Sequence, residues 1–200
     1  MTPPPSHVGE KFPTEVLNAD EVRALLYAPS NRAPTGLRNR AIIAVMYGAG
    51  LRLSEALALR PTDIDLDAGS IRVLHGKGDK ARTVGIDEGA LMHIARWMDT
   101  RRARGIKGRV LLCTLDGGEL SPRYVRAMLS RMSDRAGIDK RVHPHGLRHT
   151  HAAELESSGF TVSEIQQQLG HASLNTTAVY LNHISPSARV SKIRNRRSTL

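Results

Sequence analysis

The chain has 200 residues, 40% of them hydrophobic, which suits one ordinary domain with a single core. Its 29 Lys and Arg against 19 Asp and Glu leave a net charge of +10 and a pI near 10.5, a balance that points to a polyanionic partner, most often nucleic acid. No apolar run approaches the ~18 residues of a membrane span. The start, Met1-Thr2-Pro3-Pro4-Pro5-Ser6, lacks the charged-then-apolar form of a signal peptide, and the single Cys113 excludes an intramolecular disulfide framework. A reducing, cytoplasmic setting fits, and the sequon Asn175-Thr176-Thr177 is then a coincidence.

Residues 1–17 are rich in Pro and polar groups without periodicity and read as a flexible leader. Asn18-Ala19-Asp20-Glu21 has the form of a capping box, so a helix is expected from there to about Ala28. A second helix is expected over 36–47, with Leu37, Ala41, Ile42, Val45 and Met46 on its apolar face and Gly48 and Gly50 ending it. Ser54 is a candidate cap for a short helix that stops before Pro61.

The pattern then changes to strands. Residues 70–75 and 81–86 flank the turn Gly76-Lys77-Gly78-Asp79-Lys80, which reads as a hairpin. A helix follows over about 88–104. The run Val110-Leu111-Leu112-Cys113 is a candidate third strand. Ser121-Pro122 opens another helix, with Pro in its first turn. Helical patterns near 146–158, 161–169 and 174–183 follow, then a tail with Arg189, Lys192, Arg194, Arg196 and Arg197. The expected fold is α+β, mainly helical, with a small antiparallel sheet.

Several residues carry chemistry suited to a phosphodiester. Arg52 and Arg148 each lie beside a helix boundary. A guanidinium offers a planar fork to two phosphate oxygens and stays charged at any working pH. Two of them would stabilise a five-coordinate phosphorane without a metal. Lys77 stands at the hairpin tip between two glycines, where an ammonium can reach a backbone and protonate a leaving oxygen. It is not a Walker A lysine, because no Ser or Thr follows it and no glycine precedes it at the required spacing.

His143, His145, His149 and His151 crowd nine positions, which invites a metal reading. No Glu completes an HExxH arrangement and Cys113 is isolated, so His145 fits better as a polar partner of Arg148 facing one anion. His149 and His151 are left to supporting or structural roles. Tyr180, nine residues after His171, is a candidate nucleophile. A free phenol has a pKa near 10, so only about one in a thousand is ionised at neutral pH, and it needs cations or a base beside it.

Taken in order, Gly50-Leu51-Arg52-Leu53-Ser54-Glu55, Gly76-Lys77-Gly78 with Lys80 and Arg82, His145-Gly146-Leu147-Arg148-His149-Thr150, and Leu169-Gly170-His171 with Tyr180 resemble the boxes of the tyrosine recombinase (phage integrase) family. The likeness runs over about 13–184 and includes Gly159 and Ile165. It implies a catalytic domain over 18–184 in which Tyr180 attacks the scissile phosphate to form a 3′-phosphotyrosyl link. Arg52 and Arg148 would hold the non-bridging oxygens, and Lys77 would protonate the leaving oxygen. His145 would act as general base or acid, and His171 would hydrogen-bond the phosphate. Glu55 and Thr150 would support them, and Lys80 and Arg82 would contact DNA. The resemblance implies double-stranded DNA as partner, assembly on it as dimers or tetramers from a free monomer, and no cofactor. Residues 185–200 would be a basic tail that docks on a neighbouring subunit, and the N-terminal DNA-clamping domain of most members is not expected. Gly85 stands where a Pro is common, and His151 where an aromatic is common. Two other readings remain open at this point: a non-catalytic regulator whose 161–182 segment suits a helix-turn-helix, and a type IB topoisomerase-like relaxing enzyme.

Overall fold

The computed structural model describes residues 15–74 and 81–170. Asn18 opens the first helix, α1 (Ala19–Tyr27), as expected. Its side chain accepts from the Glu21 N–H at 2.9 Å, and the Glu21 carboxylate accepts from the Asn18 N–H at 2.7 Å. The next helix, α2 (Pro34–Gly48), differs from the expected one-sided pattern. Ala41, Ile42, Ile43, Ala44, Val45 and Met46 are all buried in succession, so α2 is wrapped on every side. It is the central helix of the core, packed against α1, α3 (Leu53–Ala58), α4 (Glu88–Ala103) and α6 (Pro144–Ser157).

The cap of α3 is Arg52, not Ser54: the Glu55 carboxylate turns back to accept from the Arg52 N–H at 2.9 Å. Three antiparallel strands follow, β1 (Ile64–Asp65), β2 (Ser70–Val73) and β3 (Arg82–Gly85), in the order β1-β2-β3. Ser70 faces Gly85 and Val73 faces Arg82, which is the expected hairpin pairing; its tip, 75–80, lies outside the described residues.

The third strand is therefore β1, and the run 110–113 is a buried loop with a single isolated bridge between Cys113 and Glu119. Side chains of α4 satisfy its first two carbonyls in place of a strand partner. Trp97 Nε1 donates to the Leu111 carbonyl at 2.8 Å, and Arg101 donates to those of Val110 and Leu111 at 2.8 and 2.9 Å.

Three helices complete the described part. Ser121 caps α5 (Pro122–Ala136), which ends on Gly137 in the left-handed region. His143 Nδ1 accepts from the Gly146 N–H at 3.1 Å, so α6 starts slightly earlier than the pattern near 146 suggests. Thr161 and Glu164 form a capping box on α7 (Val162–Leu169), which stops at Gly170. Ile165 and Leu169 of α7 pack with Ala152 and Leu155 of α6 in a small second cluster beside the main core. The pattern near 174–183 lies outside the described residues. Among the described residues, no helix is long and apolar enough to cross a membrane.

Candidate active site

The turn between α2 and α3 makes the first half of the site. Gly50 has φ +62°, and a Cβ there would lie 2.5 Å from His151 Cδ2 and 2.9 Å from Leu169 Cδ2. Only glycine meets both demands, and the turn it allows aims the Gly50 carbonyl at α6 and delivers Arg52 to the start of α3.

The start of α6 and the end of α7 make the second half. Arg148, 1% exposed, donates from Nη1 to the Gly50 carbonyl and from Nη2 to the Leu169 carbonyl, both at 2.6 Å. Arg52 donates to Glu55 Oε1 at 2.7 Å and to the Gly170 carbonyl at 3.2 Å. The last two carbonyls of this helix end thus orient both arginines. The left-handed Gly170 also seats directly on Arg82, where a Cβ would come 2.6 Å from Nε.

Glu55 ties the pieces together. Its carboxylate is buried and takes a two-pronged ion pair from Arg82, at 3.0 and 2.9 Å, besides the bond from Arg52. Burial pulls its pKa up, but the hydrogen bonds from Arg82 and Arg52 outweigh that and hold it below the usual value. One carboxylate therefore fixes a strand arginine and a helix-cap arginine in a common frame.

Arg52, Arg148 and His145 open onto one cavity of about 370 Å³, which Arg126, Arg141 and His143 also line. No carboxylate lines it among the described residues. Burial, then the nearby His143, Arg148 and Arg52, push the His145 imidazole below its ordinary pKa, so it is neutral at pH 7 and able to accept a proton. The His145 ring meets His149 edge-on at 4.4 Å. A larger cavity of about 780 Å³ lies further along α6, but Asp87, Glu154 and Glu164 line it. Those carboxylates would repel a phosphodiester, so the smaller, cationic cavity is the candidate site.

The structure brings together Arg52, Glu55, Arg82, His145 and Arg148. Lys77, Lys80, His171 and Tyr180 lie outside the described residues. Thr150 supports α6 from another direction: its hydroxyl donates to the Gly146 carbonyl at 3.0 Å and accepts from the Leu17 N–H at 3.1 Å, which docks the segment before α1. The sequence reading missed Arg126 and Arg141. Arg126 is one of several arginines on α5 and nothing in the periodicity marks it, whereas Arg141 stands close enough to His145 to have been noticed. Among the described residues, no three His, Cys, Asp or Glu side chains are grouped to hold a metal ion.

This fold and site define the class of protein: residues 15–185 match the phage integrase family, and the chain belongs to it. Within that family it is similar to tyrosine recombinase XerC of Xanthomonas axonopodis pv. citri (strain 306), at 40% identity over 173 residues, covering 83% of this chain and 53% of that protein. XerC of Escherichia coli O157:H7 is 37% identical over 164 residues, covering 82% and 54%. The fold matches the crystal structure of XerA recombinase with a TM-score of 0.80 and 32% identity, over 92% of this chain and 66% of that one. It also matches XerH site-specific recombinase bound to palindromic difH substrate, in a post-cleavage complex, with a TM-score of 0.75 and 29% identity, over 92% and 53%. The chain spans about half the length of the curated relatives it matches.

Proposed function

We propose that this chain carries the strand-cleaving and rejoining chemistry of a site-specific DNA recombinase. The observation that supports it most is the convergence of Arg52, His145 and Arg148, from two distant parts of the sequence, on one acid-free cationic cavity. In this reading the Tyr180 oxygen attacks the scissile phosphorus while His145 accepts the phenol proton. The bond from phosphorus to the 5′ oxygen breaks, Lys77 supplies the proton to that oxygen, and the 3′ phosphate stays on Tyr180. Arg52, Arg148 and His171 stabilise the phosphorane oxygens. One phosphoester replaces another, so bond energy is kept and the reverse attack by a 5′ hydroxyl rejoins the strand. Neither ATP nor a metal is required.

The partner is double-stranded DNA, on which copies assemble as dimers or tetramers, with Lys80 among the DNA contacts; Arg82, expected there too, is committed to the Glu55 carboxylate at the base of the hairpin. Residues 185–200 are proposed to dock on a neighbouring subunit. XerH, similar in fold, is a site-specific recombinase whose structure was solved bound to its difH substrate, which supports a DNA partner here. The setting is the cytoplasm, at the nucleoid. The test incubates the full chain with a nicked duplex, chosen by its binding from a random-sequence library, so that the cleaved end diffuses away. A detergent-stable protein–DNA adduct, unaffected by EDTA, is expected. Tight binding without an adduct would mark a regulator instead, and relaxation of supercoiled DNA without strand exchange would mark a topoisomerase-like enzyme.

A further inference from the structure

We propose that Gln168 is a positioning residue for strand cleavage, acting through the end of α7 on Arg148 and Arg52. This rests on the cleavage reading above. The Gln168 carboxamide pairs with both backbone groups of Gly85 at the outer edge of β3: Oε1 accepts from the Gly85 N–H at 3.0 Å, and Nε2 donates to the Gly85 carbonyl at 2.7 Å. Nε2 also reaches the Ala49 carbonyl at 3.4 Å, next to Gly50. The side chain thus does at Gly85 what a neighbouring strand would do, satisfying both polar groups that this residue presents at the outer edge. The residues that follow it are the ones whose carbonyls orient the site, Leu169 toward Arg148 and Gly170 toward Arg52.

The pairing adds something packing does not supply. Ile165 and Leu169 are fully buried and already hold α7 against α6. Those two side chains pack against α6. The two-pronged bond at Gln168 adds a directional tie from α7 to β3, beside the bonds from Arg148 and Arg52 at the helix end. The geometry does not need glycine at 85 for space or backbone angle. A Cβ there would meet only Gln168 Oε1, at 3.9 Å, and its φ is not in the left-handed region. What the pairing needs from residue 85 is its N–H. Gln168 is half-buried and Gly85 exposed, so the pair contributes little to global stability but directly to alignment. A small displacement of catalytic groups costs far more in rate than in folding energy.

The test uses the full chain and the nicked duplex. Adduct formation at saturating DNA, the Kd for the same duplex and the melting temperature are measured for wild type, Gln168→Met, Gly85→Pro, Gly85→Ala and the Gln168→Met/Gly85→Pro double variant. Met keeps the shape of Gln without its hydrogen bonds; Pro removes the Gly85 N–H at an edge position but also fixes φ and restricts Val84, so its melting temperature is read beside its rate. Gln168→Met and Gly85→Pro are each expected to slow adduct formation roughly tenfold while changing Kd by less than about twofold. Gly85→Ala should cleave at the wild-type rate, and the double variant should be no slower than the slower single one. Wild-type cleavage with an unchanged rate in Gln168→Met would overturn this inference alone, as would a rate loss matched by equal losses in Kd and melting temperature. A wild type that binds the duplex without forming an adduct would overturn the cleavage reading, and this inference with it.

Discussion

Arg148 donates to the Gly50 carbonyl at 2.6 Å and so joins α6 to the turn after α2, although 98 residues separate the two. The bond exists because residue 50 adopts φ +62° in a space with no room for a Cβ. Gly50→Ala must strain the backbone and push on His151 and Leu169. We expect a loss of about 2 kcal/mol in urea unfolding and slower cleavage through a displaced Arg148. Unchanged stability would mean that the turn relaxes freely and does not define the site.

Glu55 should be the most sensitive carboxylate. Removing it leaves two arginines facing each other without a counter-charge, so Glu55→Ala should cost about 3 kcal/mol. Its folded pKa is held below the ordinary 4.5. Its stabilisation is therefore complete above that value and is lost as pH falls through the lower folded one. Glu55→Gln should show a flatter acid limb in unfolding free energy than wild type. Parallel acid limbs would contradict the ion-pair assignment.

His151 supplies a second pH dependence. It is buried beside Arg148 and Asp87, with a hydrogen bond to the Tyr47 backbone. Burial, reinforced by Arg148, takes its pKa from 6.5 down to about 4, so it stays neutral in the fold. Between those values the unfolded chain binds the extra proton, so stability falls as pH drops below about 6.5, by roughly 3 kcal/mol at pH 4. His151→Phe should remove that slope. A wild-type melting temperature that is constant from pH 6.5 to 4.5 would show that the ring titrates normally.

Arg52→Ala and Arg148→Ala should each lower cleavage by about 10²–10³ at saturating DNA, because each donor matters most as charge builds on the phosphorane. Arg148→Lys should not restore the rate, since one ammonium cannot span the Gly50 and Leu169 carbonyls and still meet a phosphate in the same geometry. DNA affinity should fall steeply with salt, with a log–log slope of about −5 if about six phosphates are neutralised. A slope near zero would place the basic charge elsewhere.

Where local chemistry decides structure, the sequence was readable. The capping box at Asn18, the Ser121-Pro122 start and the hairpin around 76–80 all follow from residues acting on nearby backbone. The third strand was not readable. Ile64–Asp65 is too short to leave a period, and the strand-like run at 110–113 is satisfied by Trp97 and Arg101, whose partners no local pattern reveals. In the site, Arg52, His145 and Arg148 were legible as motifs, and the cavity gathers them. The wiring was not: that Glu55 joins Arg52 to Arg82, or that Gly85 pairs with a glutamine 83 positions away, depends on packing between elements. Gly85 was visible as an oddity, but its partner was not.

The central claim is that a phenol in this chain becomes covalently joined to a DNA 3′ phosphate. Trapping wild-type protein and Tyr180→Phe on the nicked duplex, then digesting with protease and nuclease for mass spectrometry, tests it most directly. Wild type should yield a nucleotide joined through its 3′ phosphate to the peptide containing Tyr180, and Tyr180→Phe should bind the duplex equally well and yield none. An adduct that persists in Tyr180→Phe, or one mapped to any other residue, would contradict the account.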